Sequence, residues 1–337
     1  MTAIADGDAL IAASARPRSR RPRSRGRAIV ADLVLALCAL LAASLVIFLA
    51  LHYLPGDIAA IMAGTDASAE KIDAIRRELG LDRPVMVQYW DWFTDLLRLD
   101  FGQSSLTHQA VGSELLRKLA VTAPMALAAL VLAMLISIPL GSAAALGRRS
   151  WWGQLLHSLT QLGIAIPTFI LGILFADLLA IRTGWLPATG FPIDGWRDFG
   201  AAMRSLILPT LTLTIPQAAV LIRFVRSATI ETLSQDHVRT ARAQGLSIRQ
   251  ALGQSWRMIG LPLSAVVALE FAGLLTGSVL VEQVFALPGV GQFLLSSVSV
   301  RDITVVQSVL MLMSALIIIM MTLANLVQQL LDPRLRS

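Results

Sequence analysis

Six long apolar runs divide this sequence and limit what the chain can fold into. Each run is about as long as, or longer than, the roughly 20 residues that an α-helix needs to cross a bilayer. The composition agrees, because 55% of the 337 residues are hydrophobic, only 15% are charged, and the mean hydropathy is +0.69. The pattern therefore predicts an all-α integral membrane protein with six transmembrane helices. The predicted spans are 33–51, 119–147, 151–179, 205–222, 261–281 and 303–331.

Basic residues are concentrated in alternate connections between these runs. Seven arginines lie in residues 15–27, and further arginines cluster at 148–149, 223–257 and 334–336. The longest hydrophilic connection, 54–118, instead carries more acidic than basic residues. Because loops rich in Lys and Arg stay on the cytoplasmic side of a membrane, both termini are predicted to be cytoplasmic.

The pattern of apolar runs and charged connections predicts both the contacts of the chain and its parts. Membrane topology explains the net charge of +6 better than nucleic-acid binding does, so we expect contact with membrane lipid and none with nucleic acid. An alternative use of the basic tail is to bind nucleic acid or anionic lipid. The predicted parts are a disordered cytoplasmic tail (1–27), a first span (28–53), an extracytoplasmic region (54–118), a core of five spans with a cytoplasmic loop at 229–260 (119–331), and a second cytoplasmic tail (332–337).

The residues that could hold a nucleotide or a metal lack the required spacing. A P-loop needs a lysine directly after glycine, but the two lysines, Lys71 and Lys118, follow Glu70 and Arg117. The four histidines are scattered, without a second ligand at metal spacing, and no hydrolase motif is present. The single cysteine, Cys38, excludes an intramolecular disulfide. We therefore expect that this chain is not an enzyme and holds no cofactor.

The segment 235–262 is polar and lies between two apolar runs. Small and basic residues alternate in 236–244, and Gly245 follows, at a position where helices commonly end. This pattern predicts a short exposed helix. Small side chains let another backbone approach and basic ones supply charge, so such a helix suits insertion into a partner's groove. The alternative is a solvated basic loop with no further role.

Residues 238–247 read V-R-T-A-R-A-Q-G-L-S and resemble the cytoplasmic loop of ABC-transporter permeases of the dipeptide and oligopeptide import branch. Arg239 stands at the position of the general family's Glu, and Ile58 follows Gly-Asp where Pro is expected. The resemblance extends over 29–336. Further family-like motifs are L-P-G-D at 54–57, I-P-T-F-I-L-G-I-L at 166–174 and V-E-Q-V-F-A-L-P-G-V-G at 281–291.

This resemblance implies a type I importer permease fold in a bacterial or archaeal inner membrane. It also implies a second homologous permease, two ATP-binding subunits that hold ATP and Mg, and an extracytoplasmic substrate-binding protein. The substrates would be di- or oligopeptides, although related importers carry nickel chelates, sugars or opines. The resemblance implies a coupling helix that docks on the ATPase at Asp236, His237, Val238, Arg239, Thr240, Ala241, Arg242, Ala243, Gln244, Gly245, Leu246 and Ser247. It implies extracytoplasmic loop motifs at Pro55, Gly56, Asp57, Glu282, Pro288, Gly289 and Gly291.

Acidic residues within the apolar runs are candidates for a substrate pathway. Glu270 falls near the middle of its run, where a charge costs about 2.5–3.5 kcal/mol, so it should face water or a cationic substrate group. Alternatively, Glu270 is protonated or hydrogen-bonded internally. Asp177 lies near the end of a span that Pro167 must kink, and these two residues complete the candidate pathway. The alternative function is an ion-coupled secondary transporter in which Asp177 and Glu270 carry protons.

Overall fold

The computed structural model describes residues 25–54, 58–63, 67–78 and 80–331, and this part of the chain is almost entirely helical. Ala176–Ile181 form a π-helical extension of α7, and Gly195–Arg197 form a short 3-10 helix. The described α-helices are α1 (Arg25–His52), α2 (Ile58–Ala63), α3 (Ala69–Glu78), α4 (Val85–Leu97), α5 (Val111–Leu146), α6 (Trp151–Ala165), α7 (Thr168–Phe175), α8 (Phe199–Ser234), α9 (Asp236–Ala243), α10 (Ile248–Gln254), α11 (Trp256–Val284), α12 (Val290–Ser299) and α13 (Ile303–Leu331).

Among the described residues, five helices could cross a membrane, or six if one bent pair counts as a span, compared with six predicted spans. Within the described residues, α1, α5, α8, α11 and α13 are each long and apolar enough to cross a bilayer. Helices α6 and α7 pass the same test as a pair and count as the sixth span if they cross as one broken helix. The all-α membrane fold predicted from the sequence is therefore confirmed.

The third predicted span is broken at Pro167. Helix α6 ends at Ala165, Pro167 directly precedes α7, and the two helix axes meet at 98°. Proline lacks a backbone N–H and its ring clashes with the preceding turn, which explains the break. The predicted kink is thus confirmed, and it is sharp enough to separate two helices.

Helix α8 is the centre of the bundle. It contacts α5, α6, α7 and α11, and 72% of its most apolar stretch is buried. Two glycines on its neighbours permit the close approach. A Cβ atom on Gly141 of α5 would lie 2.7 Å from Cβ of Val225, and one on Gly163 of α6 would lie 2.9 Å from Cβ of Ala219. Both distances are too short for a side chain, so glycine is required at these crossings.

Helices α8 and α11 run in opposite directions between the two ends of the bundle. Helix α8 has 36 residues, about 54 Å at 1.5 Å per residue, and leads into α9. We call this the α9 end. Helix α11 starts there and runs back to the turn before α12, which we call the α12 end. The two ends are therefore far apart but are joined by two continuous helices.

Several helix boundaries differ from the predicted ones. Helix α5 begins at Val111 rather than residue 119, so it crosses the predicted boundary between the extracytoplasmic region and the core. Helix α8 begins at Phe199, before the predicted start of its span at residue 205, because Asp198 Oδ1 accepts a hydrogen bond from Ala201 N (3.0 Å) and caps the helix. Helix α8 continues to Ser234, beyond the predicted end of the span at residue 222. The apolar run marks the part of a helix that lies in the membrane, and the helix itself can extend further.

Three predicted segments fall wholly or partly outside the described residues. Pro55, Gly56 and Asp57 lie there, as do the C-terminal tail (332–337) and most of the N-terminal tail. Residues 25–27 are described and belong to α1, so this last part of the predicted disordered tail is helical.

Candidate functional site

The short helix α9 was predicted at 236–244 and is present as Asp236–Ala243. Gly245 follows with φ +90°, a left-handed conformation that glycine adopts without strain. Val238 is the buried residue of α9, at 2% exposure. Most of the remaining side chains of the helix are exposed, and they include Arg239 and Arg242. The predicted short exposed helix with its glycine stop is therefore observed.

Helix α9 is attached closely to two membrane helices. Only Gln235 separates it from α8, whose last residue is Ser234. On its other side, His237 Nε2 lies 3.0 Å from Oγ of Ser255, the residue that precedes α11. A displacement of α9 would therefore be passed directly to both long helices.

The connection between α9 and α11 is itself well ordered. Helix α10 starts with a capping box, in which Ser247 Oγ accepts a hydrogen bond from Gln250 N (3.4 Å) and Gln250 Oε1 accepts one from Ser247 N (2.9 Å). Ala251 and Leu252 of α10 are buried. The whole segment from α9 to α11 is thus a folded unit rather than a solvated loop.

The outward face of α9 carries positive charge. Arg239 is paired weakly with Asp236 of the same helix at 3.4 Å, and both side chains are largely exposed. In the described part of the chain Arg242 forms no ion pair. Exposed pairs of this kind contribute about 0–1 kcal/mol, so they are readily exchanged for a partner's carboxylates.

At the α12 end, Glu282 organises the turn between α11 and α12. Its side chain is fully buried, and Oε1 accepts a hydrogen bond from Thr122 Oγ1 (2.6 Å) while Oε2 accepts one from Gln292 N (3.0 Å). Thr122 Oγ1 also accepts a hydrogen bond from Val290 N (2.9 Å). A buried carboxylate is tolerated only with such partners. Glu282 therefore connects α5, α11 and α12.

The other motif residues of this turn make room for Glu282. A Cβ atom on Gly289 would overlap the Glu282 carboxylate, and one on Gly291 would lie 2.5 Å from Cα of Val279. Pro288 lies in the same turn. The stretch 281–291 was predicted to be a loop, but α11 continues to Val284 and only the short turn 285–289 is non-helical.

Asp302, which the sequence analysis did not single out, has a similar role at the α12 end. Its side chain is 3% exposed and accepts hydrogen bonds from Ser104 Oγ (2.5 Å) and Ser105 N (3.3 Å). It also accepts a weaker bond from Val305 N (3.4 Å) in the first turn of α13. The sequence signal was an Asp directly before an apolar helix, which is a typical N-cap. Asp302 joins the 100–110 segment to α13.

The candidate pathway residues lie in different surroundings. Asp177 is in the π-helical extension of α7 and pairs with Arg182 at 2.8 Å, with both side chains at least 40% exposed. Glu270 is partly buried in the middle of α11, and no hydrogen bond within the described residues involves its carboxylate. Pro167 is at the break between α6 and α7. Asp177 and Glu270 therefore do not form a shared acid pair.

Two sequence families match this chain. Residues 137–337 match the binding-protein-dependent transport system inner membrane component family, and residues 26–128 match the N-terminal part of such membrane components. The chain belongs to this family. It is therefore a permease subunit of a binding-protein-dependent ABC transport system of the inner membrane, as the loop motif indicated. Membership does not favour the alternative of an ion-coupled secondary transporter.

Individual relatives are similar over nearly their whole length. The permease is 36% identical to the glutathione transport system permease protein GsiC of Salmonella typhimurium over 298 residues, covering 88% of this chain and 94% of the relative. It is 36% identical over 308 residues to a putative peptide transport system permease protein of Brucella abortus, covering 89% and 96%. The corresponding Escherichia coli GsiC is 34% identical over 294 residues, covering 87% and 93%.

Proposed function

We propose that this permease transports peptides or peptide-like molecules inward and that α9 docks it onto an ATPase. The relatives described above belong to glutathione and peptide transport systems, which supports a substrate with peptide bonds. The observation that carries the docking proposal is the tethering of an exposed basic helix to α8 and α11. A solvated loop without a partner would not need a folded connection on both sides.

Membership of a binding-protein-dependent transport family supports the proposed partners. Two ATP-binding subunits would hold ATP and Mg, a second homologous permease would complete the pathway, and an extracytoplasmic binding protein would deliver the substrate. In this arrangement the α9 end and both termini are cytoplasmic. The binding protein would contact the α12 end, through 54–115 and 282–300.

In the proposed mechanism, α8 and α11 move as rigid bodies together with α9. ATP binding closes the two ATPases and brings the α9 helices of the two permeases together. Because α9 is one residue from α8 and hydrogen-bonded to Ser255, both long helices follow it. The bundle then changes from an inward-open to an outward-open arrangement, a rigid-body transition between two states.

Two substitutions that add the same side chain at the α9 end test the docking proposal. Gly245→Asp places a Cβ atom at φ +90°, which costs on the order of 1–3 kcal/mol and distorts the end of α9. Gly253→Asp adds the same charge in α10, where φ is ordinary and nothing lies within 4 Å of the new Cβ. It is therefore a matched control.

The measurements are co-purification of the ATPase chains and ATP-dependent peptide uptake in vesicles that contain the complete complex. We expect Gly245→Asp to lose both and Gly253→Asp to keep both. Retention of ATPase and uptake by correctly inserted Gly245→Asp protein would show that α9 is not the docking element.

A further inference from the structure

The middle of the membrane bundle contains two polar side chains that form no hydrogen bond with the described residues. Gln217 lies near the midpoint of α8, and its side chain is only 9% exposed. Its Oε1 atom accepts no hydrogen bond from any described residue. Glu270 lies near the midpoint of α11 and is partly buried without a hydrogen bond to the described residues. An unpaired polar group in an apolar span costs free energy, and packing of the helices does not offset that cost here. A bound ligand that pairs with both side chains would explain why they are present.

The two side chains belong to the same seam between α8 and α11. Gly273 is three residues after Glu270, so both lie on one face of α11. A Cβ atom on Gly273 would lie 3.7 Å from Nε2 of Gln217. Glu270 is therefore about one helical turn from the Gln217 amide, towards the α9 end. One turn further towards the α12 end, Gly277 faces Leu213, and there the seam is closely packed and apolar.

A third group balances the charge of Glu270. Arg223 of α8 interacts electrostatically with the Glu270 carboxylate, but no ion pair within 4 Å joins them among the described residues. The Arg223 side chain is exposed. Glu270 and Arg223 are thus not bound to each other and can each bind a group of a ligand. Their summed charge is close to zero. Such a pair prefers a zwitterion over a simple cation, because a cation alone would be repelled by the guanidinium group.

We propose that Gln217 and Glu270 form a substrate site for the free amino end of a zwitterionic, peptide-like molecule, and that Arg223 attracts the carboxylate of the same molecule. The ammonium group binds the Glu270 carboxylate, and Oε1 of Gln217 accepts a hydrogen bond from the adjoining amide N–H. A neutral sugar would leave Glu270 unpaired in the membrane. This inference rests on the proposed peptide import and adds which end of the substrate this chain recognises.

Cysteine accessibility tests whether position 270 lies on the pathway. Cys38 is the single cysteine of the chain, so Cys38→Ser gives a background without thiols. In that background Glu270→Cys is compared with Leu269→Cys, because Leu269 is 59% exposed but points to another face of α11. The probe is the water-soluble reagent aminoethyl methanethiosulfonate, applied to vesicles that contain the whole complex with its binding protein and ATP.

We expect Glu270→Cys to be labelled, and a transported dipeptide to slow that labelling several-fold. Labelling of Leu269→Cys should not respond to the dipeptide. An unlabelled Glu270→Cys, or a labelling rate that the dipeptide leaves unchanged, would overturn the proposal.

A second measurement tests the charge at position 270. With saturating binding protein, Glu270→Gln should lower the maximal uptake rate of a dipeptide about tenfold, and Glu270→Asp should restore much of it. ATP hydrolysis stimulated by the binding protein should persist in both variants. Equal uptake by Glu270→Gln and wild type would refute the ammonium contact. Because ATPase attachment is measured on the same vesicles, a failure of this site is distinguishable from a failure of docking at α9.

Discussion

The Nε2 atom of His237 donates a hydrogen bond to Oγ of Ser255 at 3.0 Å, and this bond joins α9 to the start of α11. The direction follows from the Ser255 hydroxyl, which has one proton and donates it to Ala251 O (2.9 Å). Ser255 is only 5% exposed and His237 lies at the surface, so the bond is partly buried. His237 therefore has its proton on Nε2 and holds α9 against the membrane helix.

We expect removal of this bond to weaken coupling without unfolding the protein. Ser255→Ala and His237→Ala each delete a bond with a net contribution of about 0.5–1.5 kcal/mol, which is small for a chain of this size. Transport per ATP hydrolysed should fall in both single variants and no further in the double variant. Gln254→Ala, which alters an exposed side chain of α10 outside the docking helix, is the control. Additive losses in the double variant would show that the two residues act separately.

Glu282→Gln should destabilise the α12 end. Both carboxylate oxygens of Glu282 accept hydrogen bonds, from Thr122 and from Gln292 N, whereas an amide would point its NH2 group at one of these donors. The loss is expected to be about 2–3 kcal/mol, because bonds to a buried charge are stronger than average. Thermal unfolding in detergent measures it. Glu231→Gln, at an exposed position of α8, should leave the midpoint unchanged.

Gly291→Ala should also reduce stability, for a steric reason. Its Cβ atom would lie 2.5 Å from the backbone of Val279, which cannot rotate away. Overpacking of this kind costs about 1–3 kcal/mol or more. Gly253→Ala is the matched control, because it is also a helical glycine but has nothing within 4 Å of the new Cβ. If the two variants are equally stable, the close approach of α11 and α12 is not rigid.

Much of the architecture could be predicted because membrane helices follow from local sequence. Long apolar runs specified the spans, Pro167 specified the break, and Gly245 specified the end of α9. The helix ends were predicted less well. For example, Asp198 caps α8 before the apolar run of that span begins. Propensity carries no information about such single hydrogen bonds.

The partners of polar side chains could not be predicted, because they depend on tertiary structure. Glu282 and Glu270 are both acids in the same helix, yet one is fully hydrogen-bonded and the other is not. The Ser104–Asp302 bond joins residues that are 198 positions apart. Only packing of the helices brings these groups together, and no spacing in the sequence indicates it.

Asp302→Ala should loosen the α12 end at the start of α13. It removes a helix N-cap, which contributes about 0.5–2 kcal/mol, and leaves Ser104 Oγ without its acceptor. Limited proteolysis in the 100–110 segment of the variant should become faster. Substrate uptake by the uncleaved variant should depend more strongly on the concentration of binding protein than uptake by the wild type does. Asp95→Ala, an exposed acid in α4, provides the comparison. Unchanged proteolysis would show that other contacts hold this segment.

Asp177→Asn separates ATP-driven import from proton coupling. Asp177 forms an exposed ion pair with Arg182, which contributes about 0–1 kcal/mol, so its removal should hardly affect stability. A proton carrier at this position would be essential, whereas a surface pair is dispensable. In vesicles containing the complete complex, we expect Asp177→Asn to retain most of the uptake rate, and uptake to continue when a protonophore collapses the proton gradient. Loss of uptake in both tests, with ATP still present, would mean that protons rather than ATP drive the substrate through this bundle.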